Sequence, residues 1–211
     1  MTVNQLVQSR GITELLHFTT NKGILGILDS HSVKARSHLD LDERLKAIFT
    51  PNAASRTRDS AYLNYVNLSI SRINNNFFRQ SARNWHKDKD LWWCVISISP
   101  EILSHPGVIF TTTNNIYTGV HREQGGKGLE ALFAPKIVQW SGQVVKRGAE
   151  ERDDFTTCSQ AEVLYPEEVD TKYLQKIYVL DGEAQDQLEG QFAGVSHPAV
   201  PIQISSNLFE K

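Results

Sequence analysis

Between Tyr65 and Ile70 the apolar residues Val66, Leu68 and Ile70 alternate with polar neighbours, the period-two pattern of a strand with one face buried. Further short apolar stretches lie at 15–19, 92–99, 108–110, 161–164 and 177–180, at irregular intervals. Between them, Thr20 can cap a helix whose apolar face carries Ile24, Leu25, Ile27 and Leu28. A polar helix is expected over 75–85, a helical turn after Pro100, and a helix over 127–133 that Pro135 stops. Short strands with interspersed helices, and no regular βαβ rhythm, predict an α+β fold. With 211 residues the chain suits a single domain over 1–211. Residues 37–61 read as a long irregular segment with a short helix near 41–47. The stretch 141–160 is polar without a period, and Gly125, Gly126 and Gly128 are expected to form a flexible turn.

Composition narrows the class. Hydrophobic residues make up 40% and charged residues 22%, ordinary for a soluble protein, and no apolar run reaches the roughly 18 residues of a membrane span. Residues 1–10 lack the apolar centre of a secretory signal, and Cys94 and Cys158 are too few for a disulfide framework. A cytoplasmic protein without membrane contact is expected. The net charge of -2 argues against a broad duplex-DNA binder but leaves room for an enzyme gripping a few nucleotides. Two basic clusters stand out: Arg79, Arg83, Lys87 and Lys89, then Lys136, Lys146, Arg147 and Arg152. Each is either a nucleic-acid contact or a solvated face.

The chemistry-bearing residues begin with Glu162, a carboxylate inside an apolar strand, where it needs either a partner or a task. His17 and Thr19 share one strand face just before a helix N-terminus, a plausible docking edge for a ribose or an amide. Arg56 and Arg58 precede the Tyr65 strand, and either guanidinium has the fork that suits a pyrophosphate. Asn67 and Ser69 share the polar face of their strand. Nucleotide-triphosphate loops, dinucleotide glycine fingerprints and Gly-x-Ser-x-Gly are absent, and the seven His show no zinc-ligand spacing, so no metal is expected.

Taken in order, six segments resemble the DarT family of DNA ADP-ribosyltransferase toxins. They are LLHFTTNKGILGIL (15–28), RDSAYLNYVNLSIS (58–71), WWCVISISPEIL (92–103), GVIFTTTNN (107–115), LEALFAP (129–135) and SQAEVLYPEEV (159–169). The resemblance implies an ADP-ribosyltransferase fold, two small, mainly antiparallel sheets around an NAD+ cleft with peripheral helices. It implies that Glu162 is the catalytic glutamate, and that Arg58, or Arg56 two residues away, is the essential arginine. By the same resemblance His17, Phe18, Thr19, Gly23, Asn67 and Ser69 face NAD+, the co-substrate. Gly23 stands where some members have Asn, and Arg72-Ile73 replaces an aromatic-Pro pair, so the next loop is expected to differ in shape.

The polar stretch before Glu162, with Arg147, Arg152, Ser159 and Gln160, is then expected to read single-stranded DNA. Trp85 and Trp140 are candidates for base stacking, with the core as the alternative location. The implied acceptor is a nucleobase, guanine favoured over thymine by the form Asn67-Leu68-Ser69-Ile70, and the implied partner is a DarG-like macrodomain antitoxin. Two other readings remain open at this point. One keeps the fold but takes protein or RNA as acceptor, or is a relative of RNA 2′-phosphotransferases. The other is a non-catalytic module that binds NAD+ or nucleic acid.

Overall fold

The computed structural model describes residues 1–39, 41, 42, 44, 45, 57–86 and 88–209. In chain order its elements are α1 (Val3–Arg10), β1 (Leu15–Thr20), α2 (Asn21–Ser30), β2 (Ser32–Lys34), α3 (Arg36–Leu39), β3 (Tyr65–Ile70), α4 (Asn75–Arg79), β4 (Trp93–Ile98), β5 (Ile109–Thr111), β6 (Arg122–Gln124), α5 (Gly125–Ala131), β7 (Lys136–Val138), β8 (Val144–Lys146), β9 (Glu162–Pro166), β10 (Glu168–Asp170), β11 (Leu174–Val179), α6 (Gly182–Gly194) and β12 (Ile202–Ile204). The helix expected near 41–47 falls outside the described residues apart from Leu41, Asp42, Arg44 and Leu45.

Eight strands hydrogen-bond in the order β12-β11-β4-β1-β3-β9-β5-β6, antiparallel except for β11 beside β12. One seam in this order is short. β1 pairs with β4 along its whole length, but with β3 only at Leu15–Ile70 and Leu16–Ser69. Beyond Leu16 the two strands part, so the sheet behaves as two four-stranded leaves joined at one corner. Two mainly antiparallel sheets flanking a cleft are thus realised as one split sheet.

The main core contains Leu15, Ile24, Leu28, Leu68, Ile96 and Val163, all essentially inaccessible to water. On the other face of β1, Leu16 and Phe18 enter a second, aromatic cluster. There the Phe18 ring meets Phe77, Phe78 and Trp93 at centroid distances of 5.5, 5.3 and 5.8 Å. The helix expected over 75–85 is α4, which runs on as a π-helical turn, Gln80–Trp85. Gly126 and Gly128 do not make a flexible turn. They lie in the first turns of α5, where a Cβ would come within 2.0 Å of the Met1 carbonyl oxygen and 2.2 Å of the Glu123 carbonyl oxygen. Close backbone approach, not flexibility, requires glycine there.

Candidate active site

The cleft opens where β1 and β3 diverge. At that point the ladder is replaced by a side chain: the His17 Nδ1–H donates to the Asn67 carbonyl at 2.9 Å. A carbonyl only accepts, so the proton sits on Nδ1 and leaves Nε2 as an acceptor. Burial lowers the His17 pKa, against a smaller opposing effect of the Asn67 carbonyl, so the ring is neutral at pH 7. Thr20 caps α2 by accepting from the Gly23 N–H at 3.1 Å. Gly23 lies so close to β1 that a Cβ would fall 2.1 Å from the Thr19 hydroxyl. The cavity holds about 560 Å³, in the range of small-ligand sites. His17, Phe18, Thr19, Gly23, Asn67, Ser69, Gln160 and Glu162 all line it.

Glu162 begins β9 opposite Thr111 of β5, at 8% exposure. Its Oε2 accepts the backbone N–H of Asn115 at 2.8 Å. Asn115 is itself clamped: Arg122 donates from Nε to its Oδ1 at 2.6 Å and from a terminal nitrogen to its carbonyl at 2.7 Å. The Arg122 guanidinium also lies 5.0 Å from the centroid of the Tyr62 ring. A carboxylate held by a charge-clamped loop has little freedom to turn, which suits it to stabilise positive charge at a fixed point. Tyr117 closes the rim, its hydroxyl donating to Gln160 Oε1 at 2.8 Å. Burial, then the neighbouring Cys158 and Glu162, raises the Tyr117 pKa, and the phenol stays protonated.

The sequence model of one family, described as ssDNA thymidine ADP-ribosyltransferase, DarT, matches residues 16–210. The chain belongs to the DarT family. It is therefore an NAD+-dependent DNA ADP-ribosyltransferase. Thermus sp. 2.9 DarT in complex with ADP-ribosylated ssDNA superposes with a TM-score of 0.68 at 12% identity, over 95% of this chain and 97% of that one. The same Thermus protein in complex with NAD+ gives 0.66 at 12% identity, over 94% and 98%. Thermosipho africanus DarTG in complex with ADP-ribose gives 0.60 at 15% identity, over 93% of this chain and 51% of that one. At these identities the likeness concerns the fold, which is the DarT ADP-ribosyltransferase fold. No curated protein matches significantly.

The other residues expected at a DarT site are placed less uniformly. Phe18 contributes a cleft wall but is anchored in the aromatic cluster. Arg58 is exposed in a 3-10 turn, Thr57–Tyr62, and does not line the cavity, while Arg56 lies outside the described residues. Arg147 and Arg152, expected to meet DNA, do not line the cavity; Arg147 is half-buried and Arg152 exposed. Arg147 donates to the carbonyls of Phe155 and Arg152, and Arg152 is bidentate to Asp154. Ser159 is exposed just outside the cleft. Lys22 and Arg36 do line it, as cations that reading the sequence missed. Asn115 and Arg122 were missed too, the only signal being the density of Asn and Thr in 111–115. Trp85 and Trp140, at 38% and 62% exposure, are not core residues. Among the described residues no three metal-ligating side chains cluster, and no helix is long and apolar enough to cross a membrane.

Arg72 braces the loop before Glu162. It donates to Glu151 at 2.8 Å and to the Thr156 carbonyl at 2.5 Å, and its guanidinium lies 4.7 Å from the centroid of the Phe155 ring. Removing it leaves a half-buried carboxylate and a carbonyl without their donor. Arg72→Ala is expected to cost about 2 kcal/mol, which lowers Tm by about 4–8 °C for a chain of this size; a thermal melt checks it.

Proposed function

We propose that the cleft holds NAD+ with its nicotinamide riboside between His17 and Glu162, and passes ADP-ribose to a base of single-stranded DNA, guanine rather than thymine. One observation carries the proposal: a buried carboxylate, fixed by the Asn115 N–H, lines the same cavity as the acceptor nitrogen of a neutral histidine. The leaving group, nicotinamide, is already cationic in NAD+, so no acid is needed to expel it. The C1′–N bond breaks with its electron pair going to nicotinamide, and positive charge grows on the ribose, as in glycoside hydrolysis.

Glu162 binds a ribose hydroxyl and stabilises that charge. A nitrogen of the base then attacks C1′ and gives up its proton towards the carboxylate. His17 Nε2 accepts from a ribose hydroxyl, with Thr19 beside it. Thr20 ends β1 at the start of α2, whose N-terminal turn lines the cleft at Lys22 and Gly23 and brings the positive end of the helix dipole to it. That end is suited to the pyrophosphate together with Lys22, Arg36 and an arginine of the 56–58 segment. Asn67 and Ser69 line the wall between them. A stacked base cannot present this nucleophile, so the acceptor is single-stranded or flipped; Gln160 and Ser159 sit where it enters.

Guanine is favoured by the form Asn67-Leu68-Ser69-Ile70, although the family description names thymidine. The resemblance further supports a toxin that works in the cytoplasm as one domain, beside a DarG-like macrodomain antitoxin. The test is incubation with NAD+ and single-stranded oligonucleotides that each lack one base. The expected result is a mass gain of one ADP-ribose that disappears only when guanine is missing. Dependence on thymine corrects the base; labelling of RNA or protein in place of DNA refutes the acceptor.

A further inference from the structure

Three strands at one edge of the large sheet set three polar residues in a row. Glu162 of β9 pairs with Thr111 of β5, and Thr111 pairs with Arg122 of β6. Directly paired residues of an antiparallel ladder carry their side chains on one face, so Glu162 and Arg122 share a face two strands apart. Asn115, in the loop that joins β5 to β6, bridges them. Its N–H goes to the Glu162 carboxylate, and its carbonyl and Oδ1 go to Arg122. A slip of one residue in β6 would carry the guanidinium to the opposite face and break this chain.

Stability alone does not account for the arrangement. Arg122 directs its donors to the neutral Asn115 and to the Val120 carbonyl, and to no carboxylate among the described residues. The Arg122 Nε–H needs an acceptor, so Asn115 Oδ1 must face it. The Asn115 Nδ2, buried at 1% exposure, is then left without a hydrogen-bond partner among the described residues. An orphaned buried donor is costly. An aspartate at this position would accept from Arg122 without that cost, but would set a second negative charge beside Glu162. The neutral amide gives up stability and leaves the carboxylate without a like charge next to it.

The same guanidinium has a second neighbour. Tyr62, its ring centroid 5.0 Å away, is the last residue of the turn Thr57–Tyr62, which also carries Arg58. Arg122 therefore touches both the anchor of the carboxylate and the turn that bears an arginine.

We propose that Arg122 is a positioning residue for ADP-ribose transfer: it fixes Glu162 through Asn115 and, through Tyr62, sets the arginine-bearing turn in register with that carboxylate. The inference rests on the role given to Glu162 above. It assigns to a residue that does not line the cavity the task of holding two walls of the site in fixed relation.

Arg122→Lys keeps the cation but cannot span both Asn115 acceptors. It is expected to lower kcat for transfer to a labelled single-stranded oligonucleotide about 10²-fold, the scale of a misplaced reacting group, with the Kd for NAD+ little changed. Tyr62→Leu is expected to lower it about 3- to 5-fold, and Tyr62→Phe, which keeps the ring, to restore it. The decisive variant is Glu162→Gln/Arg122→Lys. Because Arg122 acts through the carboxylate, its replacement is expected to add no further loss to that of Glu162→Gln. Losses that multiply in the double variant overturn the proposal, as does a wild-type kcat in Arg122→Lys or a loss confined to NAD+ affinity. A wild-type rate in Glu162→Gln alone refutes instead the role of Glu162, and this inference with it.

Discussion

Glu162→Gln is expected to lower the rate of ADP-ribose transfer by at least ~10³-fold, about 4 kcal/mol of transition-state stabilisation, while the fold stays intact. The amide oxygen of Gln can still accept the Asn115 N–H, so the loop clamped by Arg122 keeps its anchor and Tm moves little. The carboxylate's charge matters most once the ribose becomes cationic. The loss should therefore fall on kcat, with KM for NAD+ changed only slightly. Steady-state kinetics with a labelled oligonucleotide separate the two constants. A variant with wild-type kcat would remove Glu162 from the chemistry.

His17→Ala acts at the opposite wall and is expected to reduce kcat/KM for NAD+ by about 10²-fold. It also leaves the Asn67 carbonyl without its donor, at about 1–3 kcal/mol. The native histidine adds a pH signature. Its pKa is lowered by burial, so the ring stays neutral and able to accept down to below 6.5. As pH falls below that value the unfolded chain takes up this proton before the folded one. Stability contributed by neutral His17 is then lost progressively, down to the depressed pKa. Transfer should likewise fall on the acid side, below the ordinary histidine range. Rate–pH profiles and acid melts of wild type and His17→Ala check both, and an unchanged acid limb in the variant would assign that limb to another group.

Much of this site was legible because it depends on local pattern. The alternation from Tyr65 to Ile70 set Asn67 and Ser69 on a polar face, and Glu162 drew notice as a charge in an apolar strand. What escaped detection is held together by residues far apart in sequence. Arg72 meets Glu151 across 79 positions, and nothing in either segment announces the other. Arg147 and Arg152 show a charge in the sequence but not the carbonyls and the Asp154 carboxylate that they also bond. Helix α1 was missed because only Leu6 of its residues is fully buried, although Thr2 and Gln5 form a capping box. Helix α6 likewise buries only Ala184 and Leu188, too few to stand out as a period. The early parting of β1 and β3 is a matter of register, which no single strand encodes.

That corner joint divides labour. Side chains assigned to NAD+ come mostly from β1 and α2 on one leaf. Glu162, Gln160 and Tyr117, assigned to the acceptor side, belong to the other leaf and the loops that flank its strands. A change of nucleic-acid target can therefore concentrate on one half of the molecule, so long as that half keeps Asn67, Ser69 and Glu162, the residues it lends to the dinucleotide.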